Sequence, residues 1–224
     1  MLFYYLVQMK HIKTLLLLVM LWPCLGFSQY TENDWEERDT WMDVSDIFDK
    51  ATIQKGSHVA DIGCHEGYLS IHLANKVGKD GRVYAVDVRD DRLTTLKQNL
   101  KNRSIDNVEV ILGDYDDPKL PKNTLDVVVI MDTYHEMTDY MDILKHAKAA
   151  LKPGGRIVII EKLKSWIEGK TRKEQTNAHS LGIRYVKEEL IETDFSVIYE
   201  NDDIGDWEND PDKVIWMLVA VKPK

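Results

Sequence analysis

Carboxylates that close apolar runs, glycines just behind one of them, and a histidine beyond another are the residues here spaced for chemistry. From Val59 to Ala74 the chain reads VADIGCHEGYLSIHLA. It is apolar up to Asp61, bends between Gly63 and Gly67, and continues with Leu69, Ile71, Leu73 and Val77 at helical spacing. A strand, a glycine turn and a helix N-terminus together make a place for a nucleotide-like ligand. The glycines let backbone come close, and the free N–H groups of the first helical turn point at the ligand. Asp87 closes the next apolar run, 24 positions after Gly63. An acid at that distance stands at the end of the second strand and can grip ribose hydroxyls; otherwise it caps a helix. Beyond a further apolar run comes Asp132-Thr133-Tyr134-His135-Glu136. His135 is the candidate general base there, since its ordinary pKa lies near working pH. The plainer alternative is that it bonds backbone. Tyr134 either orients a substrate or fills the wall.

The elements that must position these groups alternate. Helical spacing of Trp41, Val44, Ile47, Phe48 and Ala51 predicts a helix over 40–53. Strands are expected at 58–62, 83–88, 108–112, 125–131 and 156–160, with helices between them. The Lys152-Pro153-Gly154-Gly155 turn precedes the fifth strand, which ends on Glu161. Residues 162–180 are polar, with Trp166 and His179, and are expected to form a mobile cover. A helix over 186–193 and two strands, 195–199 and 214–221, follow, with an acidic loop at 201–212 between the strands. Strand–helix repetition with apolar strands predicts an α/β fold with a doubly wound, mostly parallel sheet and a C-terminal antiparallel strand pair.

Five landmarks stand in order: the Asp61–Gly67 turn, Asp87, Asp114, the end of the fourth strand, and Leu151-Lys152-Pro153-Gly154-Gly155-Arg156. That ordered set resembles the class I S-adenosylmethionine (SAM) dependent methyltransferases over residues 40–221. His65 stands where that family usually has its middle glycine. The resemblance implies a Rossmann-like fold, SAM as cofactor and methyl transfer to an acceptor the sequence does not name, a small molecule or a protein. It also implies that the helix over 40–53 crosses the mouth of the cofactor site. Cofactor contacts then fall to Asp61, Gly63, His65, Gly67 and Asp87. Asp114 would meet the adenine amino group, Tyr115 would pack on the ring, and Asp132 would touch the methionine end. His65 either reaches the cofactor carboxylate or only tolerates the turn's backbone. His72 is read as structural and His179 as a second candidate for substrate contact. The rival class is a non-catalytic SAM-binding or scaffold protein with the same fold. A dinucleotide oxidoreductase fits less well, because Gly63 to Gly67 is Gly-x-x-x-Gly.

The 224 residues suffice for one domain, and a composition 44% hydrophobic and 30% charged is that of a globular chain. A net charge of −9 with no basic cluster argues against nucleic acid as a major partner. No His-x-x-x-His or cysteine pair gives metal-ligand spacing, so no metal is expected. Cys64 lies inside the turn without a partner base, so it is not read as a nucleophile. Lys10, His11 and Lys13 precede an apolar run from Thr14 to Trp22, and Gly26 and Ser28 follow. That pattern predicts a secretory signal over 1–28 and an exported, periplasmic or cell-envelope protein, with any membrane attachment through that segment alone. Cys24 as a lipidation site and an uncleaved anchor are the alternatives. Residues 29–39 are expected to be a linker and 40–224 the functional domain.

Overall fold

The computed structural model describes residues 31–224. The expected signal over 1–28, with Cys24, lies outside the described residues. Among those described, no helix is long and apolar enough to cross a membrane.

Seven strands form one sheet in the order β3-β2-β1-β4-β5-β7-β6. They are β1 (His58–Ile62), β2 (Arg82–Asp87), β3 (Val108–Leu112), β4 (Leu125–Met131), β5 (Leu151–Lys164), β6 (Ser196–Asp206) and β7 (Lys213–Val221). Strands β1 to β5 pair in parallel, while β7 runs antiparallel to both β5 and β6. The expected mostly parallel sheet with an antiparallel C-terminal end is therefore observed. The helices are α1 (Trp35–Arg38), α2 (Val44–Ala51), α3 (Tyr68–Val77), α4 (Asp90–Asn102), α5 (Tyr140–Ala150), α6 (Arg172–Asn177) and α7 (Ile183–Glu192).

Two apolar clusters cover the two faces of the sheet. Val59, Val83, Ala85, Val127 and Val129 pack with α2, α3 and α4 on one face, and Ala60, Val128 and Ile130 with α5 and α7 on the other. Side chains alternate along a strand, so Asp61 follows Val59 and Asp87 follows Ala85 onto the first face. Both acids thus reach the same side of the sheet at its carboxyl edge, where open α/β sheets bind ligands.

Three stretches depart from the sequence reading. Residues 31–39, expected as a linker, are folded onto the domain. Trp35 and Arg38 are buried, the Tyr68 hydroxyl donates to Asp39 at 2.7 Å, and the Trp35 and Tyr68 rings meet edge to face at 6.1 Å. Burial of one aromatic face outweighs the polar composition around it. Strand β5 does not stop at Ile160. Glu161 to Lys164 stay paired with β7, opposite Trp216 to Lys213, which takes the first three residues of the expected cover into the sheet. The remainder of 165–180 holds a single turn at Ser165–Ile167 and the capped helix α6, with Gln175 buried beneath it. Strand β6 likewise runs on through acidic Glu200 to Asp206. It is an edge strand with half its residues in water, where charges are tolerated and discourage pairing with other chains.

Candidate active site

The turn after β1 is fixed by backbone. Gly63 and Gly67 have φ of 84° and 101°, in the left-handed region. A Cβ on Gly63 would stand 2.2 Å from Thr133 Cγ2, and one on Gly67 2.2 Å from Leu96 Cδ1. Gly63 therefore lets the end of β4 close against the turn. His65 also has a positive φ, 50°, the backbone geometry that was one of the two readings open for it. Its backbone N–H donates to Asp87 Oδ2 at 2.9 Å, and Arg89 N–H donates to Asp87 Oδ1 at 2.9 Å. Each Asp87 oxygen keeps a second lone pair for a ligand hydroxyl.

A cleft of about 750 Å³ opens above this turn, within the size range of small-molecule sites. Asp61, Gly63, His65, Asp87, Tyr115, Asp132 and His135 all line it, so the structure brings most of the predicted residues together. Asp61 is buried and accepts the Ser70 hydroxyl at 2.6 Å. Burial, with Asp87 beside it, pushes the Asp61 carboxyl up to about 6, against the opposing Ser70 bond and Arg38. Burial holds the His65 imidazole below its ordinary value. It also pushes the Cys64 thiol upward, which makes a thiolate there unfavourable.

Three predicted residues stand outside the lining: Gly67, which closes the turn itself, and two that lie elsewhere. The Asp114 carboxylate pairs with Lys119 at 3.0 Å and is exposed, outside the cleft lining, while its neighbour Tyr115 reaches the rim. The Tyr134 ring is fully buried in the cluster on the opposite face. Its hydroxyl donates to Glu189 at 2.9 Å, Arg172 holds the same carboxylate at 2.6 Å, and the phenol's pKa is raised by burial and that carboxylate. It is a core residue of that face and lines no part of the cleft, because the single turn at Tyr134–Glu136 sends consecutive side chains to different sides.

His135 is where the reading needs correction in chemistry rather than place. The Glu161 carboxylate, fully buried, lies 2.8 and 2.9 Å from His135 Nδ1 and accepts the His135 backbone N–H at 3.0 Å. Glu136 lies 3.1 Å from Nε2. Burial alone would lower the imidazole pKa; Glu161 and Glu136 more than offset it and hold it up at about 10. At neutral pH the ring is an imidazolium, a proton donor and not the expected base.

The cleft also contains groups that sequence reasoning missed. Lys162 forms a buried ion pair with Asp132, and its Nζ sits 4.6 Å from the centre of the Trp207 ring. Lys164 donates to the Ala178 carbonyl at 2.6 Å, and burial lowers its pKa. Arg38 lies over Tyr68 at 4.4 Å and over Trp207 at 5.0 Å. The alternation Lys162, Lys164 after an apolar run was the available signal for β5 continuing past the sheet edge. Nothing local marks Arg38 or Trp207, which meet only in space.

Residues 53–214 match the profile of a family described as "Methyltransferase domain". The chain belongs to the class I SAM-dependent methyltransferases. It is 34% identical over 116 residues to a demethylmenaquinone methyltransferase of Geobacillus sp. (strain WCH70), covering 52% of this chain and 50% of that one. The chain thus spans about half the length of the curated relatives it matches. Among solved structures it resembles a SAM-dependent methyltransferase from Aquifex aeolicus, with a TM-score of 0.70, 21% identity, and 86% and 98% of the two chains covered. It also resembles a Haemonchus contortus phosphoethanolamine N-methyltransferase solved with SAM, with a TM-score of 0.69, 16% identity, and 89% and 59% covered. SAM is the cofactor. The residues present suit it: the glycine floor leaves out a Cβ, and the carboxylates of Asp61 and Asp87 face a ligand that carries hydroxyls and positive charge.

Proposed function

We propose that this methyltransferase acts on a small-molecule acceptor that presents an anionic oxygen, such as an acidic hydroxyl or a carboxylate. The carrying observation is the make-up of the acceptor end. Lys164 and the His135 imidazolium line the cleft, and Nδ1 of that imidazole is already held by Glu161. An acceptor that is already ionised needs no base. When bound, SAM supplies an electrophilic methyl group on a sulfonium. Asp87 would take the ribose hydroxyls and Asp61 a cationic part of the cofactor. Tyr115 offers a face at the rim for a base ring, the packing role expected of it. Trp207 closes the opposite side against water, and Lys164 with His135 orients the acceptor oxygen.

Calorimetry of SAM with the wild type and Asp87→Ala tests the cofactor end, with at least a tenfold weaker Kd expected for the variant. Conversion of SAM to S-adenosylhomocysteine across a panel of phenols, hydroquinones, carboxylates and amines tests the acceptor end. The hydroquinones answer to the demethylmenaquinone named for the curated relatives. Methylation of amines alone would sink the anionic-oxygen reading. A second reading, a non-catalytic SAM-binding protein, draws support from His65 in place of the usual glycine. Binding of SAM without turnover on cell-envelope extract would favour it. Export remains a proposal read from residues 1–28, tested by fractionation of cells producing the full chain.

A further inference from the structure

Glu136 stands between two histidines. Its Oε1 is 3.1 Å from His135 Nε2 and is also paired with His179 Nδ1, and the two imidazole rings meet at right angles 6.0 Å apart. One donor atom from each of the three residues lies within 4.8 Å of the others. All three line the cleft at its acceptor end. His135 cannot swing, because both oxygens of the fully buried Glu161 hold its Nδ1 and one of them also takes its backbone N–H. A carboxylate on one imidazole nitrogen, with the other nitrogen aimed outward, is the arrangement that orients a metal-ligating histidine.

We propose that His135 Nε2, Glu136 and His179 Nδ1 bind a divalent first-row transition metal, with its open positions toward the cleft. Two imidazole nitrogens and one carboxylate suit Zn2+ and its neighbours better than Mg2+ or Ca2+, which want oxygen ligands. A second grouping, Asp132 with His135 and Glu161, is the weaker candidate. Lys162 already occupies Asp132 in a buried pair, and a metal there would have to displace that cation. At the proposed site the metal takes the place of the Nε2 proton, and the positive charge that His135 carries without metal passes to the metal. Resting on the acceptor reading above, its open position is where the acceptor's anionic oxygen would be held. Sequence spacing hid this cluster, since 43 positions separate Glu136 from His179.

The test uses the tag-free full chain, stripped with a chelator and titrated with Zn2+ by calorimetry, with Co2+ as an optical probe of coordination. One Zn2+ per chain is expected, with a Co2+ spectrum characteristic of nitrogen and oxygen ligands. The side chain of His179 is 68% exposed, so His179→Ala leaves the fold standing and should weaken Zn2+ at least tenfold, as should Glu136→Gln. Glu161→Gln should weaken it by roughly ten- to a hundredfold through the lost orientation of His135. SAM binding measured on the same variants reports the integrity of the cofactor end. Absence of saturable Zn2+ binding, or binding indifferent to His179→Ala and Glu136→Gln, overturns the site. SAM binding without Zn2+ binding overturns the metal alone, whereas Zn2+ binding without SAM binding overturns the cofactor assignment and leaves the metal site supported.

Discussion

Asp61 carries a charge in the place least able to solvate it. Its folded pKa, about 6, lies above its ordinary 3.8, so the folded chain binds this proton more tightly than the unfolded one. Its contribution to apo stability is therefore full below pH 4, declines between 4 and 6, and is lost above 6. Asp61→Asn should raise the apo stability at pH 7 by about 2 kcal/mol, read by urea unfolding, since the Ser70 hydroxyl still finds an amide oxygen. The same variant should bind SAM at least tenfold more weakly. In the wild type, SAM affinity should rise from pH 5 to 7 and then level off, because a cationic ligand prefers the ionised carboxylate. A gain of affinity in Asp61→Asn would refute the role. Tyr134→Phe makes a complementary case. Removal of its hydroxyl leaves Glu189 one donor short and should cost about 1–2 kcal/mol, with KM and kcat unmoved. A specific fall in kcat would return Tyr134 to the acceptor site.

Elements meet at this site in ways that single residues do not announce. The turn after β1 and the end of β4 touch through Gly63 and Thr133, so Gly63→Ala combines a clash with a left-handed φ. A loss of about 2–4 kcal/mol is expected from thermal or denaturant unfolding, with partial recovery on adding Thr133→Gly. The turn after β6 brings Trp207, 1% exposed, against Trp41 at 4.8 Å and Lys162 at 4.6 Å. Trp207→Ala should cost about 3–5 kcal/mol and weaken ligand binding as well, because the same ring walls the cleft. Stability lost with binding intact would make Trp207 a core residue only. That residue stands in the acidic stretch expected to be a loop. Its burial comes from partners on α1 and β5, which no window around position 207 contains.

For the whole molecule, cofactor affinity and fold stability are linked, because the cleft is assembled from β1, β2, β4, β5 and the C-terminal pair at once. SAM at about a hundred times its Kd should add about 2.7 kcal/mol to unfolding, seen as a rise in Tm that Asp87→Ala abolishes. A rise preserved in that variant would place SAM elsewhere. The repeated apolar strands, the two acids at strand ends and the glycine turn were legible because a parallel sheet buries both faces of each strand and leaves ligands its carboxyl edge. Alternation of side chains then put Asp61 and Asp87 on one face without any long-range information. Tertiary structure decided the other half of the site. It buried Arg38 under Trp207, set Glu161 against His135 so that the imidazole stays protonated, and brought His179 to Glu136. It also sent Tyr134 and Asp114 away from the cleft. Local pattern specifies where a strand ends and which face a residue takes; the charge state of a buried group depends on which distant groups pack around it, and only the folded chain settles that.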